Sequence, residues 1–290
     1  MYLASILLFG IVWGTLILMV ATSLYLVSAA SRIIHLAAGA IGVASVYGLY
    51  WGITLGWPLW MSIAFGLLVG AVLGLISSEL LETFAVRKEP LLGLLTSFAL
   101  GIVIESMVAI FFGTDGKNLQ AGILPVVRFL GLELDLPGVI TICLGVVLTV
   151  LAWLLVTYTK AGRLLRSVAE NSALATSLGV NNRVVRRVAY VLAAVVSGTV
   201  ITLSGWHTAL TPLMGFQLVV AAFVVLLMGG VSDLRGTVCA SYLVALVPSL
   251  IIGYVPGLSE NWRLVFVFCI AAIVLALRPQ GIFVKSVREV

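Results

Sequence analysis

The chain begins with the stretch MYLASILLFGIVWGTLILMVATSLYLVSAAS, residues 1–31, which contains no charged side chain. A helix that spans the hydrocarbon core of a membrane needs about 20 mainly apolar residues. The stretch exceeds that length, and it lacks the basic start and short apolar core of a cleaved signal peptide. We therefore expect a membrane-spanning helix that the mature protein retains.

The composition of the whole chain has the same character. Of its 290 residues, 62% are hydrophobic and 9% are charged, and the mean hydropathy is +1.24. A soluble globular protein carries about 25% charged residues, because it must cover a surface that faces water. The composition therefore excludes a soluble enzyme, a nucleic-acid-binding domain and a disordered tail, and it predicts a protein whose solvent is mostly lipid.

Nine apolar segments are candidate spans. They are residues 4–28, 36–55, 58–79, 91–112, 138–158, 188–206, 216–231, 237–254 and 263–279. The segment 216–231 is short and follows a break at Pro212 to Gly215, so a half-helix is an alternative there. The sequence predicts an all-α membrane protein, a polytopic bundle of about eight or nine transmembrane helices.

The basic residues predict the orientation of this bundle, since short cytoplasmic loops are enriched in Lys and Arg. The net charge of +5 lies mostly in the loop 159–187, which we place in the cytoplasm together with Arg87, Lys88 and the basic C-terminus (Arg278, Lys285, Arg288). The segment 113–137, with Asp115, Glu133 and Asp135, is expected outside. Nine spans would put the N-terminus outside and eight would put it inside, and the sequence leaves both open.

Small residues mark expected helix contacts. Gly66, Gly70 and Gly74 form a stripe of small side chains, which lets helix backbones approach closely in lipid. We expect this stripe to pack within the chain, with a dimer seam as the alternative. Three cysteines in apolar stretches (Cys143, Cys239, Cys269) show no CxxC spacing and are expected to be small packing residues.

Few ionisable residues fall in or beside the predicted spans, where they are candidates for function because they are costly in lipid unless paired or hydrated. They are Glu105 in the fourth span, Arg32 and His35 at the entrance of the second, and His207 at the end of the sixth. Glu105 either hydrogen-bonds within the bundle or lines a solute path. A single central carboxylate makes a poor proton relay. Glu79 and Glu82, near the inner face, are expected to be structural.

No pattern in the sequence is typical of catalysis. The pair Gly116-Lys117 lacks the Gly-x4-Gly-Lys-Ser/Thr spacing that wraps phosphates. No cluster of His, Asp and Glu resembles a metal site, and no Ser or Cys has a plausible base nearby. We therefore expect a chain that is not an enzyme and that binds no metal, nucleotide or other cofactor.

The loop 159–187 contains the segment AENSALATSLGV, residues 169–180. Asn171 is a good helix N-cap and Gly179 a good C-terminal stop, so the sequence predicts a short capped helix between two basic arms. Its apolar residues Leu174 and Leu178 would be exposed. The alternative is a solvated loop that only sets the topology, but exposed apolar residues favour a docking surface.

Several blocks resemble the permeases of branched-chain amino-acid ABC transporters. They are Gly162-Arg163 with RSVAENSALATSLGVNNRVV (166–185), TPLMGFQLVVAAFVVLLMGGVSDLRGTVCASYLVAL (211–246), LRPQGIF (277–283) and PLLGLLTSFALGIVIES (90–106). These blocks occur in the family's order and cover nearly the whole chain. The resemblance implies one permease domain over residues 1–290, in the bacterial inner membrane.

The resemblance also implies a mechanism and partners. Such permeases pair with a second, related or identical permease, dock on two cytoplasmic ATPase subunits that hold the ATP, and receive solute from an extracytoplasmic binding protein. On this basis Arg166, Glu170, Asn171, Ala173 and Gly179 belong to a coupling helix that fits the ATPase. The resemblance makes candidates for the solute pathway of four further residues: His35, Gly39, Ser97 and Glu105.

One segment departs from the family pattern. Where the family usually has I-N-L/F-A-H-G, this chain has Ile34-His35-Leu36-Ala37-Ala38-Gly39, with His35 in the Asn position and Ala38 in the His position. Altered polar contacts there bear on the solute, and related permeases carry urea, short amides, nucleosides or sugars. Two alternatives of other classes are an ATP-independent secondary transporter or facilitator and a non-transporting membrane scaffold.

Overall fold

A computed structural model describes residues 2–119, 126–129, 132–230, 234–255 and 257–278. The elements in chain order are α1 (Tyr2–Ser31), α2 (Ala38–Thr54), α3 (Leu59–Arg87), α4 (Pro90–Phe112), β1 (Val126–Phe129), β2 (Leu132–Asp135), α5 (Leu136–Tyr158), α6 (Lys160–Glu170), α7 (Ser172–Ser177), α8 (Asn182–His207), α9 (Met214–Gly229), α10 (Leu234–Tyr254), a 3-10 turn (Glu260–Trp262) and α11 (Arg263–Leu277). Each of the nine apolar segments coincides with one helix. The prediction of an all-α, polytopic membrane protein is confirmed.

The nine apolar helices fall into two length classes. Six described helices, α1, α3, α4, α5, α8 and α10, are long and apolar enough to cross a membrane. The other three are shorter, with 17 residues in α2, 16 in α9 and 15 in α11. The short helices α2 and α9 are also among the most buried, so they lie inside the bundle rather than around it.

The two ends of the bundle differ in charge. At one end, here called the basic end, Arg32, Lys88, Ser172 and Arg186 line one cavity of about 150 Å³, so the C-terminus of α1 lies beside the 159–187 loop. At the opposite end, called the hairpin end, the start of α1 packs on the end of α10, with Gly10 against Ser249. The N-terminus therefore lies opposite the basic loop, which is the arrangement expected for nine spans.

The chain contains two units whose helices pack in a similar way but cross the bundle in opposite directions. In the first unit α2 packs on α3 and α4, and in the second α9 packs on α10 and α11. Across the units, α3 packs on α8 while α10 packs on α1. Because α1 runs toward the basic end and α8 runs away from it, α1–α4 and α8–α11 are arranged as an inverted repeat, a common architecture of transporters.

The predicted glycine stripe lies inside the chain. Gly66, Gly70 and Gly74 are all buried on α3 and face α2 and α8. A Cβ on Gly66 would stand 2.5 Å from the carbonyl oxygen of Ser45, and one on Gly74 would stand 2.8 Å from Cβ of Ala194. The stripe therefore seats α3 against its own chain rather than against a second copy.

Two findings correct or extend the expectations. The three cysteines are exposed on the outer faces of their helices, so they are not packing residues; a lipid-facing position accepts any apolar side chain of suitable size. The segment 113–137 contains an antiparallel pair, β1 and β2, in which Val127 faces Leu134. The predicted inner location of Lys285 and Arg288, and the end of the LRPQGIF block, lie outside the described residues.

Candidate functional site

The first candidate site is the crossing of α2 and α9. Both helices follow a non-helical segment, residues 32–37 before α2 and 208–213 before α9. The two helices meet within their first turns, where a Cβ on Gly39 would stand 2.5 Å from the carbonyl oxygen of Gly215. Only glycine at both positions permits this approach of backbones.

Neither helix N-terminus at the crossing has a side-chain cap. The first N–H groups of a helix lack intrahelical acceptors, and the positive end of the helix dipole is located there. Around the crossing, Ala38, Gly39, Ala40 and Gly215 are all buried. The first N–H of each helix donates to the preceding turn, from Ala38 to the carbonyl oxygen of His35 and from Met214 to that of Thr211. The crossing therefore holds two positive helix ends without side-chain caps away from water, and the N-termini of discontinuous helices bind anionic groups in transporters.

Side chains from three other helices hold the two segments in place. Ser97 of α4 accepts a hydrogen bond from the N–H of Leu36 at 3.1 Å. Ser197 of α8 donates to the carbonyl oxygen of Ala38. Tyr47 of α2 donates to the carbonyl oxygen of Leu210 at 3.2 Å, so it connects the first unit to the second break. The bond to Ser97 pairs the N–H of Leu36, which lies in the first break. The carbonyl oxygen of Leu210 also accepts from the N–H of Lys117 at 3.0 Å, and Ala38 belongs to α2, so the other two bonds fasten these segments without being the backbone's only partners.

His35 lies in the first break and is buried, with 2% of its surface exposed. Its ring meets the ring of Tyr190 at a centroid distance of 5.0 Å, and neither ring nitrogen has a hydrogen-bond partner among the described residues. Leaving a buried polar atom unpaired costs roughly 1–3 kcal/mol. A polar partner that is present in only one functional state would remove that cost.

The remaining candidates for the solute path lie on one face of α4. Ser97, Gly101 and Glu105 are buried on the same side of this helix, and Gly101 stands opposite Ala37, with 3.4 Å between an added Cβ and Cα of Ala37. Glu105 is 8% exposed and lies one turn farther toward the hairpin end. The structure thus gathers Gly39, Ser97 and Glu105 around the crossing, with His35 entering it.

The second candidate site is the elbow of α6 and α7 at the basic end. Thr159 caps α6 by accepting from the N–H of Gly162 at 3.0 Å, and Asn171 caps α7 by accepting from the N–H of Leu174 at 3.1 Å. Gly179 has φ of +83°, and the N–H of Val180 reaches the carbonyl oxygen of Ala175 at 3.0 Å. These bonds form the glycine C-cap expected from the sequence.

The elbow presents apolar side chains to solvent. Leu174 is 56% exposed and Leu178 is 76% exposed, whereas Val168 of α6 is buried. An open cleft of about 410 Å³ lies between α1 and α6, lined by Arg32, Arg166 and Glu170 among others. The candidate coupling residues therefore lie on an ordered, partly apolar projection, and exposed apolar surface of this kind is typical of interaction sites.

Sequence reasoning missed two parts of this end. It assigned Lys160, Arg163 and Arg166 to a basic arm, but they lie in the helix α6. It also expected Glu79 and Glu82 to be structural without assigning them partners; Glu79 pairs with Arg183 and Arg187, and Glu82 pairs with Arg186. The spacing of the acids on α3 and of the arginines on α8 is helical, which is the signal that could have suggested facing rows of charge.

The described residues contain no candidate metal site. Among residues 2–119, 126–129, 132–230, 234–255 and 257–278, no group of three or more His, Cys, Asp and Glu could hold a metal ion. His207 is the last residue of α8 at the hairpin end, far along the chain from the other ionisable candidates. The geometry is that of a membrane bundle with a docking elbow.

A family model described as the permease component of branched-chain amino acid transport systems matches residues 6–275. The chain belongs to this family. It is therefore a multi-pass protein of the inner membrane and a permease component of an ABC transporter, which confirms the family resemblance seen in the sequence.

Individual relatives agree with this assignment. The chain is 24% identical over 234 residues to the high-affinity branched-chain amino acid transport system permease protein LivH of Escherichia coli K12, over 77% of this chain and 75% of the relative. It is 23% identical over 292 residues to the probable branched-chain amino acid transport permease protein LivH of Methanocaldococcus jannaschii, over 94% and 90%. These relatives are permease components and not enzymes.

A solved structure shares the fold. PsaBC from Streptococcus pneumoniae in complex with Fab aligns with a TM-score of 0.52 over 96% of this chain and 92% of that chain, at 18% identity. At that identity the likeness concerns the arrangement of helices alone. This chain, a member of the branched-chain amino acid permease family, thus has the helix arrangement seen in PsaBC.

Proposed function

We propose that the chain is the membrane permease of an ATP-driven importer for branched-chain amino acids or a related small polar solute. The observation that carries the proposal is the α6–α7 elbow, which is capped at Thr159, Asn171 and Gly179 and exposes Leu174 and Leu178. In an importer, this elbow docks on an ATPase, and closure of the ATPase dimer moves the bundle between inward-open and outward-open states.

The partners follow from the same proposal. Two cytoplasmic ATPase subunits hold the ATP, so this chain needs no cofactor of its own. A second permease, identical or related, completes the membrane part, and an extracytoplasmic binding protein delivers solute at the hairpin end. There the antiparallel bridge between Lys117 and Leu210 joins the outer loop to the break before α9, which gives a docked protein direct access to the crossing.

The solute passes the α2–α9 crossing in this proposal. Two uncapped helix N-termini favour a negatively charged group, such as the carboxylate of an amino acid. His35 offers two unpaired ring nitrogens beside the same break, and Glu105 offers a carboxylate to a positively charged amino group. Separation of Gly39 from Gly215 opens the route, and their contact closes it.

A second candidate of the same family is a permease for urea, short amides, nucleosides or sugars. The presence of His35 in place of the usual Asn, and of Ala38 in place of the usual His, favours an altered solute. An ATP-independent facilitator is the alternative from another class, but it does not need a capped, exposed elbow.

The test is purification of the assembly from native membranes, followed by uptake of radiolabelled leucine into proteoliposomes. We expect an ATPase and a second permease in stoichiometric amounts, and uptake that requires ATP and a binding protein. A chain that purifies alone and moves solute without ATP is a facilitator. An assembly that hydrolyses ATP but responds to urea, a nucleoside or a sugar instead of leucine belongs to the second candidate.

A further inference from the structure

Two adjacent asparagines connect the elbow to the membrane helices in different ways. Asn181 caps α8, because its side-chain oxygen accepts from the N–H of Val184 at 3.2 Å. Asn182 faces the elbow, where its Nδ2 donates to the carbonyl oxygen of Ser172 at 2.6 Å and to Oγ1 of Thr176 at 2.8 Å. Asn181 therefore starts a helix, whereas Asn182 binds α7 at both of its ends.

The first two turns of α8 then bind α3. Arg186 is 4% exposed in its side chain, and it donates from Nε to Oε2 of Glu82 at 2.7 Å while its second nitrogen pairs with Oε1. A buried two-point pair of this kind is geometrically specific, and breaking it is far more costly than breaking a surface pair. Arg183 and Arg187 share Glu79 nearby, in a more exposed position.

From α3 the connection continues to the crossing. The buried glycine stripe of α3 lies against α2 and α8, and Ser45 of α2 donates to the carbonyl oxygen of Gly66 at 2.7 Å. Close packing between glycine faces leaves little room for one helix to slide over another. The helices α3 and α8, with α2 between them and α9, therefore form one packed group that α7 contacts through Asn182.

We infer that Asn182 is the positioning residue that ties the docking elbow to α8, so that displacement of α7 is delivered to the α3–α8 pair through the Arg186–Glu82 contact. This inference rests on the proposed function, because it names the helices that receive the motion of the docked ATPase. The elbow is also connected along the chain on both sides, through α6 to α5 and through residues 178–181 to α8. On the α5 side it turns at Gly162, where an added Cβ would clash with the carbonyl oxygens of Leu155 and Val156.

The chain offers a matched pair of variants for a test. Asp is as good an N-cap as Asn, so Asn181→Asp keeps the cap on α8. Asn182→Asp has the same size but loses the Nδ2 donor, and it places a carboxylate beside the carbonyl oxygen of Ser172. The two variants carry the same change in charge on adjacent residues, so they differ only in the bond to α7.

The first measurement requires neither solute nor ATP hydrolysis. In a background with Cys143, Cys239 and Cys269 replaced by alanine, spin labels at exposed Leu178 and Leu80 report the distance between the elbow and α3 in the purified assembly. We expect a narrow distance distribution in the parent and in Asn181→Asp, and a distribution at least about twofold broader in Asn182→Asp, because α7 then keeps its chain connections to α6 and α8 but loses the side-chain bonds from α8. Equal widths in the two variants would overturn the inference.

The second measurement uses the assembly in proteoliposomes, with leucine as the probe. We expect Asn182→Asp to retain its ATPase and to hydrolyse ATP, while leucine moved per ATP falls about 5–150-fold, the range of ordinary coupling between sites. Asn181→Asp keeps the parental ratio, and Glu82→Gln lowers it. Parental ratios in both Asn182→Asp and Glu82→Gln would overturn the inference. Failure of the unmodified assembly to contain an ATPase would instead overturn the proposed function.

Discussion

The crossing of α2 and α9 makes a quantitative prediction, which compares Gly39→Ala with Gly101→Ala. A Cβ on Gly39 would lie 2.5 Å from the carbonyl oxygen and 2.9 Å from the carbonyl carbon of Gly215. These are backbone atoms that cannot rotate away, so the strain falls in the upper part of the range of about 1–3 kcal/mol for overpacking. Alanine returns about 1 kcal/mol of helix propensity, which leaves a net loss of about 1–2 kcal/mol.

Gly101→Ala is the control on the neighbouring helix. The nearest atom to its Cβ is Cα of Ala37 at 3.4 Å, an ordinary van der Waals contact, so the variant keeps the gain of about 1 kcal/mol from helix propensity. The two variants should therefore differ by about 2–3 kcal/mol, or about 4–12 °C in midpoint temperature at 2–4 °C per kcal/mol. Thermal unfolding in detergent, followed by size-exclusion chromatography, measures this difference.

A measurement of transport distinguishes two roles of the α2–α9 crossing, a gate on the solute path and a purely structural helix contact. A bias of about 1–2 kcal/mol against the closed contact of Gly39 with Gly215 changes its population about 5–30-fold. We expect leucine uptake per folded assembly to fall more in Gly39→Ala than in Gly101→Ala. Equal midpoint temperatures and equal uptake in the two variants would refute the reasoning.

Three further predictions concern the rest of the site. Gly179→Asp places a side chain at φ of +83° in the elbow. This variant and Glu170→Arg should both leave membrane insertion intact and uncouple ATP hydrolysis from uptake. Normal coupled uptake by both variants would count against docking through the elbow. Glu105→Gln keeps the size of the side chain and removes the charge, so uptake should change more than assembly does; an equal loss of both would make Glu105 a structural residue. Arg263→Lys removes the guanidinium that lies 4.5 Å from the ring centre of Trp13 and 5.4 Å from that of Phe9. The variant should lower the midpoint temperature by an amount that corresponds to about 1–2 kcal/mol, while uptake per folded assembly stays unchanged. An unchanged melting curve would show that these contacts do not stabilise the protein.

The positions of the helices could be predicted because each membrane span is determined by residues that are consecutive in the sequence. Each span needs enough consecutive apolar residues, and all nine predicted segments coincide with helices. Ends were harder, since α3 continues to Arg87, eight residues past the predicted end of its span, and α8 begins at Asn182, before the predicted start. These extensions carry charged residues, which pair with each other instead of ending the helix.

Contacts between distant segments could not be predicted from one sequence. The meeting of Gly39 with Gly215 and the pairing of Glu82 with Arg186 join residues far apart in the chain, and no local period encodes them. The short helix α7 was predicted because Asn171 and Gly179 are local caps. Its partner α6 was missed because its basic residues were interpreted only as a topology signal.

In the proposed importer the ATPase acts at one end of the bundle only, and the inverted repeat bears on how this makes transport directional. The two units α1–α4 and α8–α11 pack alike, so by themselves they favour neither direction of transport. The segment between them, which contains α5, α6 and α7, has no counterpart after α11 in the described chain. It places the elbow beside α3 and α8 at the basic end, whereas the equivalent helices at the hairpin end, α10 and α1, meet the Arg263 contacts and, from α1, strand β2. A force on the elbow therefore acts on one unit's outer helix and the other unit's first helix together, which turns a nearly symmetric bundle into a directional one.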